Sequence, residues 1–204
     1  MKILIGTPIH EVKDYCITRW LKNVARLQLK YPADLLLVDN SPGLDYIEKL
    51  QSYIKKYEIK NCKIKHLEIN AAQPTAEKIG RSREIIRQEF LNGSYGALFS
   101  WESDQIIPVN TLNTLVKIMK AGNYTMIQPN AWSRENPTEP EANFGVCLIN
   151  REALEKNTFM LIPPDDCWAG GEARFKRDVL RGGGSYIEIY GIIKPIYHLN
   201  NPKL

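Results

Sequence analysis

Apolar and polar residues alternate along the first 120 positions in two rhythms. Strand-length apolar runs stand at 2–9 (KILIGTPI), 34–39 (DLLLVD) and 96–101 (GALFSW). Each is bounded by turn-forming residues, which predicts strands buried on both faces. Residues 63–69 (KIKHLEI) alternate instead and read as a further strand, the third in chain order. Between these runs the apolar period lengthens. Ile17, Trp20, Leu21 and Val24 predict a helix that Asp14 caps and Pro32 ends. Tyr46, Leu50, Tyr53 and Tyr57 mark a second helix, and a third runs from about Thr75 to Leu91, stopped by Asn92-Gly93. Strands joined by helical crossovers predict a mainly parallel central sheet flanked by helices, the α/β class.

The second half is less regular. Leu112, Leu115, Val116 and Met119 form a helical stripe closed by Gly122, with strands expected at 124–128 and 144–150. Residues 129–142 read as a long loop, the kind that serves function in compact domains. A short helix starts at Arg151, a loop holds Pro163-Pro164-Asp165-Asp166, and a last helix at about 172–181 stops at Gly182-Gly183-Gly184. Further strand material follows at 185–197. No repeat or linker interrupts the chain, so one domain over 1–204 is expected.

Composition narrows the classes. Hydrophobic residues are 44% and charged residues 25%, ordinary values for a folded chain. No apolar run reaches the roughly 18 residues of a membrane helix, and the N-terminus reads as a first strand and not a signal peptide. Four scattered cysteines without a C-x-x-C pair are expected to be free thiols in a reducing cytoplasm. A net charge of +4 is too weak to demand nucleic acid, but suits an anionic small ligand or peripheral contact with an acidic membrane surface. The lysines 55, 56, 60, 63 and 65 form a run broken by Glu58 and read as a solvated surface.

Ligands of open α/β sheets bind beyond the carboxyl ends of the strands. The polar residues there are Thr7, Pro8, His10 and Glu11 after the first strand, Asp39, Asn40 and Ser41 after the second, and Glu102, Ser103 and Asp104 after the fourth. Two acids at i and i+2 on an extended segment point the same way, so Glu102 and Asp104 suit a hard divalent cation that in turn binds a diphosphate. No lysine-rich loop follows the first strand, which leaves a metal as the expected neutraliser of that diphosphate.

The order of these features resembles a glycosyltransferase of the GT-A fold, family 2 in style. The resemblance rests on Thr7-Pro8, Val38-Asp39-Asn40-Ser41, Gly80-Arg81-Ser82-Arg83, the D-x-D-like Glu102-Ser103-Asp104, and the glycine segment from Phe144 to Ile149 before Arg151. Trp168-Ala169-Gly170-Gly171-Glu172 resembles the W-G-G-E-N element of galactosyl- and N-acetylgalactosaminyl-transferases, with Ala173 where Asn or Asp is expected. The resemblance implies a GT-A nucleotide-diphospho-sugar transferase fold, with a nucleotide-binding part at about 1–104 and an acceptor-side part at about 105–204, and a metal-dependent transfer of sugar to an acceptor hydroxyl. It implies Thr7, Pro8, Glu11, Asp39, Arg81, Arg83 and Ser103 around the nucleotide. It implies Glu102, Asp104 and the late His198 around Mn²⁺ or Mg²⁺. Glu172 is the implied catalytic base, with Asp165 and Asp166 in reserve. His10 and His66 carry no comparable context. Rival readings are a nucleotidyltransferase, which wants an Arg- and Lys-bearing glycine loop absent here, and a silent nucleotide-sugar binder.

Overall fold

The computed structural model describes residues 1–70, 72–129, 144–160 and 171–200. Its first half runs β1 (Ile3–Ile9), a 3₁₀ turn (Glu11–Lys13), α1 (Asp14–Lys30), β2 (Asp34–Asp39), α2 (Asp45–Lys56), β3 (Cys62–His66), α3 (Thr75–Asn92) and β4 (Ala97–Trp101). The second half adds β5 (Gln105–Ile106), α4 (Thr111–Gly122), β6 (Met126–Pro129), β7 (Val146–Asn150), α5 (Arg151–Lys156), α6 (Gly171–Arg181), β8 (Tyr186–Ile189) and β9 (Tyr197–His198).

Seven strands form one sheet in the order β3-β2-β1-β4-β7-β6-β8. The pairs β1–β2, β1–β4, β2–β3 and β6–β8 are parallel, while β7 pairs antiparallel with both β4 and β6. The mainly parallel sheet is therefore present, and β7 alone runs against it. An apolar run buried on both faces reads the same in either direction, so its sequence carries no sign of this reversal.

Side chains alternate along each strand into two cores. Ile3, Ile5, Leu35, Leu37 and Phe99 pack with the apolar faces of α1, α2 and α4. Leu4, Leu36, Val38, Leu98 and Ile149 pack with those of α3, α5 and α6. Gly6 lies where α3 crosses β1, and a Cβ there would stand 2.4 Å from Ile86 Cγ2. The missing side chain lets α3 press onto the sheet, which carries the start of α3 up to the strand ends.

Local details differ from the sequence expectation. Asp14 is the first residue of α1 and not its cap; the 3₁₀ turn precedes it, opened by His10, whose Nδ1 accepts from the Val12 N–H at 3.2 Å. The left-handed residue ending α4 is Asn123 at φ 49°, one position after Gly122. β3 stops at His66, three residues short of the alternating run. The two-residue pairing of β5 with β9, which sets Gln105 opposite His198, has no hydrophobic pattern to announce it. The loops expected at 129–142 and 163–166 lie outside the described residues, apart from Pro129.

Candidate active site at the carboxyl edge of the sheet

Register aligns the strand ends. Ile9 faces Asp39, and Asp39 faces His66, so β1, β2 and β3 finish level. Beyond that edge lies a cavity of about 320 Å³. Pro8, Ile9, His10, Val12 and Lys13 supply one wall, and Asn40 follows β2. Thr75, Lys78, Ile79 and Arg83 come from α3, and Glu102, Ser103 and Asp104 from the end of β4. The three post-strand clusters do share one edge.

Glu102, Asp104 and His198 each offer a ligand atom, and these atoms lie within 4.8 Å of one another. The two acids do not converge from an extended segment. The Gln105 N–H donates to Glu102 O at 3.2 Å, so the chain turns through Ser103 and Asp104 and folds the carboxylates together. His198 arrives on β9, held by its pairing to β5 and by a Leu199 N–H bond to Asp104 O at 2.8 Å. The Tyr15 hydroxyl donates to Leu199 O at 3.0 Å and pins the same segment to α1. Two carboxylates and an imidazole are a donor set that Mn²⁺ accepts well, with Mg²⁺ taking the oxygens.

Three acids here meet two cations. Lys13 Nζ lies 2.6 Å from Asp104 Oδ2. Burial pushes the Lys13 ammonium down, but Asp104 outweighs it and holds it above the ordinary lysine value. Arg83 is 7% exposed and bridges two carboxylates, with Nη2 3.3 Å from Glu102 Oε1 and Nη1 against Glu172 Oε1. Its guanidinium lies 5.7 Å from the centre of the Phe144 ring. Burial pushes the Glu102 carboxyl up; Arg83 opposes this, and the nearby Glu172 and Asp104 charges add to it. A raised carboxyl beside like charges is the state that a cation relieves. Glu172 Oε2 accepts the Phe144 N–H at 2.8 Å, so both of its oxygens are engaged. Glu172 lines a second hollow of about 210 Å³, which shares Ile79 and Arg83 with the main cavity.

Other expected site residues sit elsewhere. Thr7 is fully buried and its hydroxyl donates to Trp101 O at 2.7 Å, tying β1 to β4 and not facing the cavity. Glu11 is exposed, and its backbone N–H donates to Ser41 Oγ at 2.8 Å. Asp39 is also fully buried, behind the cavity wall. Its Oδ1 accepts from the Ser41 N–H at 3.2 Å and Ser41 Oγ at 2.6 Å, and its Oδ2 lies 3.0 Å from His66 Nδ1. Arg81 does not line the cavity and pairs with Glu77 one turn earlier at 2.7 Å. Arg87 donates to Leu154 O and Glu84, joining α3 to α5. Pro8 and Ser103 do line the cavity. Asp165 and Asp166 lie outside the described residues.

Sequence reasoning passed over Lys13 and Lys78, and it placed His10 and Asn40 at the strand ends without giving them a role. No lysine-rich loop follows β1, as expected, but a single lysine, Lys13, ends the turn after it and reaches the acids. Thr75, Lys78, Ile79 and Arg83 follow helical spacing, a signal that marks them as one face of α3.

No protein-family model matches the chain, and no curated protein matches it. Solved structures do match. S. aureus TarS 1-349 superposes with a TM-score of 0.72 at 16% identity, over 100% of this chain and 61% of that one. The same protein in complex with UDP-GlcNAc gives 0.52 at 19% identity, over 70% of this chain and 38% of that one. The mannosyltransferase PcManGT from Pyrobaculum calidifontis, in complex with GDP-Man and Mn²⁺, gives 0.71 at 12% identity, over 93% of this chain and 55% of that one. The chain has the GT-A fold, and it spans about three-fifths of the length of the TarS 1-349 chain it matches.

Proposed function

We propose that this chain is a glycosyltransferase that binds a nucleotide-diphosphate sugar at the carboxyl edge of the sheet and moves the sugar to an acceptor hydroxyl. The observation that carries the reading is the convergence of Glu102, Asp104 and His198 beside a cavity lined by Lys13, Lys78 and Arg83. Nucleotide sugars in two structural neighbours, and Mn²⁺ in one of them, support it. In this reading residues 1–204 act as one catalytic unit, with the nucleotide over the first half.

Glu102, Asp104 and His198 would hold Mn²⁺ or Mg²⁺. A divalent ion there supplies Lewis-acid stabilisation of the departing diphosphate. In this reading Pro8, Asn40 and Ser103, which line the cavity, would border the nucleotide, and Lys78 and Arg83 from the same lining would supply positive charge near its phosphates. Glu172 opens α6 beside the second hollow, where an acceptor hydroxyl can reach it, and serves as the base. Asp165 and Asp166 are the next candidates for that role.

One observation favours a second reading, a catalytically silent binder of nucleotide sugar. Both oxygens of Glu172 are occupied, one by Arg83 and one by the Phe144 N–H. Calorimetry with UDP- and GDP-sugars, with Mn²⁺ and with EDTA, tests binding; release of free sugar to water tests turnover. Metal-dependent binding with slow sugar release supports the transferase. Binding without release leaves the silent binder, and no binding of any nucleotide sugar refutes both.

A further inference from the structure

The acid cluster after β4 already has a cation of its own. Lys13 ends the 3₁₀ turn that follows β1, where its N–H donates to His10 O at 2.8 Å and its carbonyl accepts from Cys16 Sγ at 3.0 Å. The backbone is thus fixed on both sides, and the side chain runs along the cavity wall to Asp104 Oδ2 at 2.6 Å. The two partners differ in freedom. The Asp104 side chain is 3% exposed, whereas that of Lys13 is 38% exposed. The carboxylate is fixed, and the ammonium on its flexible stem can leave. Arg83 lacks that freedom, because its 9%-exposed side chain bridges Glu102 and Glu172.

The carboxylate that Lys13 neutralises is also one of the three groups that converge within 4.8 Å. A divalent ion taking Asp104 would meet a positive charge at contact distance, so the two cations compete for one acid. A diphosphate arriving in the same cavity offers the displaced ammonium new oxygens.

We propose that Lys13 is a resident counter-ion of this site: it neutralises Asp104 in the metal-free protein and transfers to the diphosphate when Mn²⁺ or Mg²⁺ takes the carboxylate. The inference rests on the nucleotide-sugar reading above and adds a residue that sets both metal affinity and phosphate affinity, in opposite senses.

The test compares the full chain with Lys13→Met and Lys13→Arg. Mn²⁺ alone is titrated by electron paramagnetic resonance, and UDP and GDP are titrated by calorimetry at saturating Mn²⁺. Lys13→Met is expected to bind Mn²⁺ about fivefold more tightly, the scale of one half-exposed ion pair. It is expected to bind UDP or GDP about tenfold more weakly, the scale of one charge-assisted hydrogen bond. Lys13→Arg keeps the charge and stays nearer the parent in both. Lys13→Met with unchanged or weaker Mn²⁺ binding overturns the inference, as does unchanged nucleotide affinity. If the parent binds nucleotide and Lys13→Met matches it throughout, only this inference falls; a parent that binds neither Mn²⁺ nor nucleotide takes the nucleotide-sugar reading with it. Thermal melts of both variants complete the test, and loss of fold in both assigns Lys13 a structural role and overturns the inference.

Discussion

Asp39 and Asp104 look alike on paper. Each comes at or just after a buried apolar strand, each is at most 2% exposed, and each reaches the same edge of the sheet. They do different things. Asp39 spends its oxygens on Ser41 two residues on and on His66 of the neighbouring strand. Asp104 faces Lys13 across the cavity and shares its corner with Glu102 and His198. A post-strand carboxylate satisfied by its own turn and a rigid neighbour holds the loop in place. One met by a partly exposed ammonium and a second acid is, in the proposal above, the one that exchanges partners. The difference lies in what surrounds each acid and not in its depth.

The largest effect that separates them is on metal. Asp104→Asn is expected to lower Mn²⁺ affinity by on the order of a hundredfold in a paramagnetic resonance titration, with the melting curve little changed. Wild-type Mn²⁺ affinity in that variant would dissolve the contrast. Asp39→Ala should do the reverse. It leaves the buried Ser41 N–H without its acceptor and the partly exposed His66 without its carboxylate, and should cost about 1–3 kcal/mol in urea unfolding, while the folded fraction still binds Mn²⁺. Next in size is His198→Ala. Removing a neutral ligand should weaken Mn²⁺ about tenfold, clearly less than Asp104→Asn, and equal losses would mean that the imidazole carries as much as the acid.

The smallest effect concerns acid stability where α3 meets β3, away from both acids. Glu89 on α3 is held by Lys63 and Lys65 of β3, whose hydrogen bonds keep its carboxyl below the ordinary value near 4.5. A carboxyl lowered by folding stabilises above its unfolded value, and the gain is lost as pH falls through the folded one. Glu89→Gln should therefore flatten the stability curve below about pH 4.5 and remove under about 1 kcal/mol at neutral pH. An unchanged acid limb in urea titrations would show that these surface pairs contribute nothing.

Much of the first half was legible because each strand there is an apolar run with its own boundaries. DLLLVD matched β2 residue for residue. The acids of the candidate metal site were legible too, since Glu102 and Asp104 stand directly after such a run. Their convergence through a turn was not, because the same spacing serves extended and turned chain alike. Arg81 and Arg83 show the limit of reading by motif. They stand two positions apart on a helix, so they face different ways, and only Arg83 reaches the cavity. Lys13 was hidden for another reason: a lone lysine in a turn gains meaning only from a partner far along the chain. That His66 lies alongside Asp39 was hidden too, because strand pairing and register are not written in either segment.

The pairing of β5 with β9 is only two residues long on each strand. A ladder that short is marginal by itself. It nevertheless carries His198 to the acids on the other side of the corner. An ion bound by all three side chains would act as a clasp on that ladder, and linkage makes the effect mutual. Whatever energy the ion gains from His198 is also energy that holds β9 down. Amide exchange at Tyr197 and Leu199 would then slow on adding Mn²⁺, and any change that loosens the strand would raise the concentration of metal needed to fill the site.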